Sequence, residues 1–322
     1  LYPLIQAICA YESLKGFVHA ATQLPLMPNE SPTDMRHELT SIVMCNYNGF
    51  PVLKRAIQSL REHTNGPSEL IVVDNGSIDG SIEWLESQKD IRLIQLGENL
   101  GVATARNRGL EIAHGSHILF CDNDVVFTPQ WRPLLLEHLS AWPDIGAVGP
   151  STNQGPPKQK IDGFTPRDNV DTWAQDRTLS HSDQYRYADR LGGFCLLIRR
   201  EIIDDIGGFN EDYFPMGFEV DDFCLRLGLA GWRMRIVDNC AIAHEQRGRE
   251  STSLLGYDAV MKRNEDRFRD IWGLPEDQDD ENMDLSAILQ KHTFDEEEHR
   301  LPYRSAEGHM DTERPLLLIS TR

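Results

Sequence analysis

The stretch HILFCDNDVVF (residues 117–127) ends an apolar run on two aspartates that are separated by one residue. Residues 118–121 predict a buried strand, and Asp122 and Asp124 follow it directly. A buried carboxylate is costly unless it is paired with a cation or bound to a metal. The stretch therefore predicts one strand of a buried sheet, with a ligand site at its carboxyl end.

The same pattern of an apolar run followed by polar residues occurs three more times before this stretch. The runs at 41–45, 70–73 and 91–96 lead into Asn46-Tyr47-Asn48, Asp74-Asn75 and Asn99-Leu100-Gly101. Helical spacing of apolar residues fills the intervals, at 52–63, 80–88 and 102–113.

This alternation predicts an α/β fold in which helices cover both faces of a mostly parallel sheet. Strands that are apolar throughout, without alternation, fit burial on both faces. Because ligands of such sheets bind at the carboxyl ends of the strands, the four polar strand ends are expected to meet at one site.

The composition limits the classes of function. A net charge of −19 over 322 residues excludes nucleic acid as an expected partner, because phosphate backbones are bound by clustered Lys and Arg. The six cysteines form no C-x-x-C pair, which predicts reduced core cysteines and a cytoplasmic location. No apolar run is long enough for a transmembrane segment, so none is expected.

Three regions differ in composition along the chain. Residues 1–38 predict an amphipathic helix and a proline-rich linker, and the first residue, Leu1, indicates a piece of a longer chain. Residues 39–255 predict one large domain, in which 151–190 form a long loop. Residues 256–322 predict an acidic, partly flexible extension. The terminal segments are the candidates for contacts in an oligomer.

Seven ordered motifs between residues 41 and 250 together resemble one enzyme family. They are SIVMCNYNG (41–49), LIVVDNGSIDGS (70–81), NLGVATARNRGL (99–110), ILFCDNDVVF (118–127), LGGFCLLIRRE (191–201), GFNEDYFPMGFEVDDFCLRLGLAGW (208–232) and AHEQRG (243–248). The region resembles an inverting, metal-dependent glycosyltransferase of family 2, which has a Rossmann-like GT-A fold. The resemblance implies a nucleotide-binding half at 39–125 and an acceptor half at 126–255.

The resemblance also implies a nucleotide-diphosphate sugar as the donor, with UDP or dTDP as the nucleotide. The residues that it assigns to donor binding are Asn46, Tyr47, Asn48, Asp74, Asn75, Arg106, Asn107, Asp122, Asn123 and Gly193. Asp74 would meet the pyrimidine ring, although Asp-Asn-Gly-Ser is also strong turn sequence. Gly193 belongs to a glycine pair that permits close approach of the backbone to the sugar and acceptor.

Asp122, Asp124 and His244 match the metal site of the family, and Asp124 is the expected direct ligand. The implied cofactor is Mn²⁺ or Mg²⁺, which would neutralise the leaving diphosphate. By itself Asp-x-Asp is a weak signal, because an acidic chain produces it by chance. For His244, which follows an apolar stretch, a buried histidine with an ordinary core role is the alternative.

The catalytic base falls where the sequence departs from the family pattern. The family usually carries Glu-Asp, with the Glu seven residues before an Arg. Counting back from Arg226 places Glu219 at the Glu position and Val220 at the Asp position. Inversion needs a carboxylate that takes the proton of the acceptor. Asp221 is the first candidate, Glu219 and Asp222 are its rivals, and a non-catalytic capping cluster is the alternative.

The sequence therefore predicts an enzyme of the hexosyltransferase type. It would move a sugar from a nucleotide-diphosphate sugar to a hydroxyl or other nucleophile of a glycan, protein or small-molecule acceptor. Two other hypotheses stay open. A sugar nucleotidyltransferase would need a Gly-rich basic loop where residues 46–49 read Asn-Tyr-Asn-Gly. A non-catalytic module that binds nucleotide sugars is kept open by Val220.

Overall fold

The computed structural model describes residues 39–162, 169–245, 256–274 and 285–303. The N-terminal helix and linker predicted for 1–38 lie outside the described residues, and so do 163–168, 246–255, 275–284 and 304–322.

The strands of the described residues are β1 (Thr40–Asn46), β2 (Ser68–Asp74), β3 (Ile91–Gln95), β4 (His117–Asp122), β5 (Val125–Val126), β6 (Ile145–Ser151), β7 (Tyr185–Ala188), β8 (Cys195–Arg199), β9 (Arg233–Ala241) and β10 (Ala243–His244). The helices are α1 (Phe50–His63), α2 (Ser81–Glu86), α3 (Val102–Ile112), α4 (Trp131–Ser140), α5 (Val170–Ser180), α6 (Arg200–Ile206), α7 (Glu219–Leu229), α8 (Tyr257–Trp272), α9 (Ser286–Lys291) and α10 (Glu296–His299).

Eight of these strands form one mixed sheet in the order β3-β2-β1-β4-β8-β6-β9-β7. Strands β1 to β4 are mutually parallel, and β6 is parallel to β9. β8 is antiparallel to its two neighbours, and β7 is antiparallel to β9. The chain builds β2 and β3 on one side of β1 and then crosses to its other side for β4. Ligands of open α/β sheets bind in the crevice at such a reversal, so the carboxyl ends of β1 and β4 locate the site.

Burial of the sheet on both faces explains why its strands are apolar throughout. Ile42 and Met44 of β1 belong to one hydrophobic cluster with α1 and α4. Val43, between them, belongs to a second cluster with α3 and α7. All three side chains are fully buried. The predicted α/β sheet with helices on both faces is confirmed.

Helix α3 lies so close to β1 that a glycine is required at the contact. A methyl group on Gly109 would overlap the side chain of Val43. Arg106 lies about one turn earlier on the same helix. The close packing at Gly109 therefore fixes the position from which Arg106 reaches the carboxyl end of the sheet.

Part of the region assigned to the C-terminal extension packs directly on α7. Phe218 and Leu225, from the start and middle of α7, form a third hydrophobic cluster with Phe268 and Trp272 of α8. Helix α8, which lies in the predicted C-terminal extension, therefore shares a core with the helix that carries the candidate base.

The described part of residues 285–303 also differs from the predicted acidic tail. Leu301 forms backbone hydrogen bonds with Ile206, at the end of α6, and with Gly208, in the loop that follows. Asp295 caps α10 by accepting hydrogen bonds from two backbone N–H groups. The final apolar run at 316–319 lies outside the described residues.

The predicted loop 151–190 contains two regular elements in its described part, helix α5 and the edge strand β7. The motif at 191–201 contains β8, which begins at Cys195. None of the helices in the described segments is long and apolar enough to cross a membrane. Cysteines 45, 121, 195, 224 and 240 are free thiols, as the sequence predicted for core cysteines.

Glu69 of β2 is a buried carboxylate that joins three neighbouring segments. It accepts hydrogen bonds from Ser41 Oγ at 2.6 Å, from the His114 backbone N–H at 2.7 Å and from Arg92 Nη1 at 2.6 Å. Burial alone would raise the pKa of Glu69, but these bonds and the charge of Arg92 lower it below its ordinary value.

We expect Glu69→Gln to lower the free energy of unfolding by about 1–3 kcal/mol near neutral pH, because it weakens a buried charged network. A depressed folded-state pKa gives stabilisation above the unfolded value of about 4.3, and this stabilisation is lost as the pH falls through the folded-state pKa. Urea unfolding of both proteins near neutral pH and below pH ~4 measures the effect. A deficit that stays the same at both pH values would contradict the role of the ionised carboxylate.

Candidate active site

The three residues that the sequence assigned to a metal meet at the carboxyl end of β4. One potential ligand atom each of Asp122, Asp124 and His244 lies within 4.8 Å of the others. His244 Nε2 lies 3.2 Å from Oδ1 of Asp124. Carboxylate oxygens together with an imidazole nitrogen form a donor set that suits Mn²⁺ and related divalent cations.

A two-stranded ladder brings His244 to the aspartates across a long separation in sequence. His244 of β10 pairs with Val125 of β5, which follows Asp124 directly. The backbone N–H of Glu245 then donates to the carbonyl of Asp124 at 2.9 Å. The imidazole stacks on the ring of Phe194, with 5.2 Å between the centroids. The ladder and the stacking together fix the plane of the imidazole.

Hydrogen bonds from the loop after β6 set the orientation and tautomer of His244. Asn153 accepts from the backbone N–H of His244 at 2.8 Å and donates to its carbonyl at 3.2 Å. His244 Nδ1 lies 3.0 Å from the carbonyl oxygen of Gln154. Since a carbonyl only accepts, Nδ1 carries the proton, and a neutral ring directs its Nε2 lone pair at Asp124. Asn153 and Gln154 lie in none of the seven family motifs, so they were not predicted.

The charges around the cluster fit a bound cation. Burial and the nearby charge of Asp124 raise the pKa of Asp122 to about 6, although Arg106 opposes this shift. Burial alone would lower the pKa of His244, but the hydrogen bond and charge of Asp124 raise it. A neutral imidazole nitrogen and a carboxylate oxygen facing each other need a proton or a cation between them. The donor atoms of Asp122, Asp124 and His244 therefore fit a divalent metal.

Arg106 connects this cluster to the first turn of α7. Its Nη1 donates to Glu219 Oε1 at 2.8 Å, and its Nη2 lies 3.4 Å from Asp122 Oδ1. The same Nη2 donates to the Gly193 carbonyl at 3.2 Å. Arg106 and Glu219 are almost completely buried. One buried guanidinium thus spans a candidate metal ligand, the glycine pair and a candidate base.

Gly193 is the place where a small substitution would disturb this arrangement. A methyl group there would lie 2.5 Å from Arg106 Nη2 and 2.7 Å from Val220 Cγ2. We expect Gly193→Ala to lower turnover by about ten-fold or more, since it displaces Arg106 from its carboxylate partners. Overpacking of this kind costs roughly 1–3 kcal/mol of stability. Steady-state kinetics and thermal unfolding measure the two effects.

Gly97→Ala is the control for Gly193→Ala, because its methyl group would meet no atom within 4 Å. Its positive φ of 79° makes it a substitution that costs stability without a clash. Equal losses of turnover in the two variants would contradict the role assigned to Gly193.

Hydrogen bonds inside the protein occupy both carboxylate oxygens of Asp74. Oδ1 accepts from the backbone N–H groups of Gly76 and Ser77, at 3.1 Å and 2.8 Å. Oδ2 accepts from Ser77 Oγ at 2.7 Å and from Asn46 Nδ2 at 2.6 Å. Asp74 and Asn46 are fully buried, so the structure favours the turn role of Asp74. A direct contact of Asp74 with a pyrimidine ring stays a prediction.

Amide side chains join the remaining strand ends. Asn123 donates to Asn46 Oδ1 at 2.7 Å and to the Asn48 carbonyl at 3.0 Å. Asn75 accepts from the Leu100 backbone N–H and donates to the Gly101 carbonyl, both at 3.0 Å. The predicted convergence of the four polar strand ends is therefore observed. Tyr47, which is partly exposed, remains the candidate for contact with the base of the nucleotide.

Asn107 does not border the crevice as the sequence implied. It is fully buried, donates to the Phe209 carbonyl at 2.9 Å and to Glu211 Oε1 at 2.8 Å, and accepts from the Phe209 backbone N–H. Neighbouring helical residues point about 100° apart, so Asn107 cannot share the direction of Arg106. Asn107 holds the segment before α7.

Asp222 is removed from the candidates for the base. Its Oδ2 accepts from Arg226 Nε at 2.8 Å, and its Oδ1 accepts from the indole N–H of Trp272 at 3.2 Å. The side chain is 3% exposed. A carboxylate that is buried and paired at both oxygens cannot be reached by an acceptor hydroxyl, and the pair with Arg226 explains this burial.

Asp221 is the most accessible of the three candidate bases. Its side chain is 24% exposed and lies 3.2 Å from Arg190 Nη1. On α7, Asp221 shares a face with Cys224, whose Sγ lies 3.4 Å from the backbone nitrogen of Leu191. This face is therefore directed at the segment that continues into Gly193. Glu219, in contrast, accepts from Arg106 and from the backbone N–H of Gly217.

Comparisons with known proteins agree with this geometry. The sequence model described as Glycosyl transferase family 2 matches residues 41–207. The N-acetylglucosaminyl-diphospho-decaprenol L-rhamnosyltransferase of Mycobacterium tuberculosis (strain ATCC 25618 / H37Rv) is 31% identical over 250 residues, which cover 68% of this chain and 80% of that protein. The pre-mycofactocin glycosyltransferase of the same strain is 28% identical over 225 residues, which cover 67% of this chain and 44% of that protein.

Two solved structures share the fold at low sequence identity. A mannosyltransferase from Pyrobaculum calidifontis in complex with GDP-Man and Mn²⁺ has a TM-score of 0.50 and 20% identity, and the match covers 88% of this chain and 81% of that one. GalNAc-T7 with UDP, GalNAc and Mn²⁺ has a TM-score of 0.53 and 16% identity, and the match covers 80% and 55%. The family match and the relatives show that this chain belongs to glycosyl transferase family 2 and is a glycosyltransferase with a GT-A fold.

Proposed function

We propose that the protein transfers a sugar from a nucleotide-diphosphate sugar to an acceptor hydroxyl, with inversion at C1 and with a divalent metal as cofactor. The observation that carries this proposal is the cluster of Asp122, Asp124 and His244 at the sheet reversal. Arg106 links this cluster to α7, which bears the candidate bases. Donor, metal and acceptor would thus share one crevice.

The donor is proposed to be a UDP-sugar or a dTDP-sugar, bound at the carboxyl ends of β1, β2 and β4. The strand-end amides and the partly exposed Tyr47 support this position for the nucleotide. The name of the Mycobacterium tuberculosis relative specifies L-rhamnose as the transferred sugar and a diphosphate-linked lipid glycan as the acceptor. We therefore take dTDP-rhamnose, and a lipid-linked GlcNAc diphosphate, as the first donor and acceptor to be tested.

Asp124 and His244, together with Asp122, would hold the Mn²⁺ or Mg²⁺ ion. A divalent cation supplies positive charge beside the leaving diphosphate. Arg106 holds Asp122 and Glu219 in place from the protein side. Gln154 keeps the proton on Nδ1 of His244, so that Nε2 stays free to act as a ligand.

In the proposed reaction, the acceptor oxygen forms a bond to C1 of the sugar while the bond from C1 to the diphosphate oxygen breaks. Asp221 takes the proton that the acceptor hydroxyl loses, and the nucleoside diphosphate leaves with the bonding electrons. The exposure of Asp221, and its place on the face of α7 that is directed at Leu191, support this assignment. Glu219 is the rival because it lies beside Arg106.

A panel of UDP- and dTDP-sugars with Mn²⁺, Mg²⁺ or EDTA tests the proposed function. Nucleoside diphosphate release is followed with and without acceptor, and NMR of the product reports the anomeric configuration. Release from one donor that needs a divalent metal, with an inverted product, is the expected result. A retained configuration, or full turnover in EDTA, would overturn the mechanism. Failure of every nucleotide to bind would overturn the assignment of the donor.

A further inference from the structure

Asn264 of α8 makes an unusual set of contacts with the turn that precedes α7. Its side chain is completely buried. Its Nδ2 lies 2.8 Å from the Met216 carbonyl and 3.3 Å from the carbonyls of both Phe214 and Gly217. One side-chain amide therefore holds three carbonyls of a four-residue segment, which we call the 214–217 turn.

A neighbouring side chain reinforces this contact. Arg263 donates to the Phe214 carbonyl and, through its Nε, lies 3.3 Å from Asn264 Oδ1. The amide of Asn264 is thereby fixed in the orientation in which its nitrogen faces the turn. Met261, one turn earlier on α8, lies directly over Gly217, where a methyl group would come within 2.6 Å of its sulfur.

The 214–217 turn contacts both the helix that carries Arg106 and the side chain of Glu219 on α7. The Pro215 carbonyl accepts from the backbone N–H of Val102 at 2.8 Å, at the start of the helix that carries Arg106. The backbone N–H of Gly217 donates to Glu219 Oε2 at 2.7 Å. Glu219 then pairs with Arg106 through its other oxygen. A displacement of the turn would therefore act on both partners of this buried ion pair.

Loss of the Asn264 amide would remove the donor that joins the Met216 and Gly217 carbonyls to α8, whereas the Phe214 carbonyl would keep its bond from Arg263. A carbonyl that loses its hydrogen-bond partner is disfavoured until another donor replaces it. The turn would shift to find other donors. His244 and Asp124 would not shift with it, because the contacts that place them come from Asn153, Gln154 and the β5–β10 ladder.

We propose that Asn264 is a positioning residue for sugar transfer, which fixes the 214–217 turn and, through it, the Arg106–Glu219 pair. The proposal extends the catalytic unit into α8, which lies beyond the last of the seven family motifs, at 243–248. Its kinetic consequence rests on the proposed function, whereas its structural consequence, protection of the Val102 and Gly217 amides, does not.

Hydrogen exchange followed by mass spectrometry tests the structural part on the full chain. The variant is Asn264→Leu, which keeps the branched shape with a larger volume and removes the donor, and Asn264→Ala replaces it if the leucine variant does not fold. Faster exchange is expected in peptides that contain Val102 and Gly217, and unchanged exchange in peptides that contain Asp122. Val260→Ala, which shortens a buried apolar side chain on the same helix, is the matched control.

Steady-state kinetics with the sugar donor that the wild-type protein uses test the functional part. We expect the Asn264 variant to lose about ten-fold or more in kcat, because misplacement of reacting groups is costly. The dissociation constant of UDP with Mn²⁺ is expected to change by less than about two-fold, since the contacts that place Asp124 and His244 do not involve the 214–217 turn. A loss of nucleotide affinity equal to the loss of kcat would overturn the positioning role.

The two measurements separate the possible failures. Unchanged hydrogen exchange at Val102 and Gly217 in a folded Asn264 variant would overturn the role of Asn264 in holding the 214–217 turn. The same local increase of exchange in Val260→Ala would also overturn it. If the wild-type protein transfers no sugar but the exchange pattern is as expected, the proposed function fails and the structural role of Asn264 is confirmed.

Discussion

Asp124→Ala is expected to lower kcat/KM for metal-dependent transfer by about 10²–10³-fold, through loss of charge stabilisation at the leaving diphosphate. Asp124 is almost completely buried and lies 3.2 Å from the Nε2 of His244, so its removal opens the candidate metal site. Nucleoside diphosphate release measured over a range of Mn²⁺ concentrations gives the effect. Higher Mn²⁺ is expected to restore part of the activity, because Asp122 and His244 remain as ligands.

The matched control for this variant is Asp144→Ala. Asp144 forms an exposed ion pair with Arg233, away from the carboxyl ends of β1 and β4. Such a pair contributes about 0–1 kcal/mol to stability, so transfer should stay near the wild-type level. An Asp124→Ala protein that is folded and as active as Asp144→Ala would show that Asp124 has no part in holding a metal.

Replacement of the proposed base has the second large effect. Asp221→Asn is expected to lower kcat by about 10²–10⁴-fold, the range for loss of a general base. Binding of UDP with Mn²⁺ should be retained, since Asp221 pairs with Arg190 and is not one of the three proposed metal ligands. Single-turnover transfer and calorimetric titration of UDP measure the two properties separately.

Glu219→Gln provides the comparison for the base. Glu219 shares Arg106 with Asp122, so its neutralisation should lower stability and turnover together. Two results together would contradict the role of Asp221. Asp221→Asn would keep the wild-type turnover, and Glu219→Gln would lose turnover without losing stability. The base would then be Glu219.

Much of the fold and of the candidate site could be predicted from local sequence. Apolar runs that end in Asn46, Asp74 and Asp122 predicted the strands, and the rule for parallel sheets predicted that their ends meet. His244 was assigned from the family motifs, and the structure places it beside Asp124. The family match confirms the resemblance over residues 41–207, and the metal role of His244, which lies beyond that range, stays a prediction.

Other features were set by contacts that local sequence does not encode. Asn107 follows Arg106 in the same motif, yet its direction on α3 buries it, and it donates a hydrogen bond to the Phe209 carbonyl. Asp222 lies within one turn of Asp221, but pairing with Arg226 and Trp272 buries it. Both outcomes depend on which helix face meets the core.

The packing of helix α8 was not predicted. The acidic composition after residue 255 predicted an acidic, partly flexible extension, because such runs are usually solvated. Helix α8 instead packs on α7 and places Asn264 under the 214–217 turn. A single asparagine among the charged residues of a helix forms no recognisable sequence pattern. Its role at the 214–217 turn is therefore visible only from the tertiary contact.

The central claim is that Asp122, Asp124 and His244 hold a divalent cation at the donor site. A crystal structure of the protein with Mn²⁺ and UDP, with anomalous data collected for manganese, tests this claim most directly. The expected result is one anomalous peak bonded to a carboxylate oxygen of Asp124 and to Nε2 of His244, in contact with the diphosphate of UDP. Bound UDP without manganese at these side chains, or manganese held by other residues, would contradict the claim.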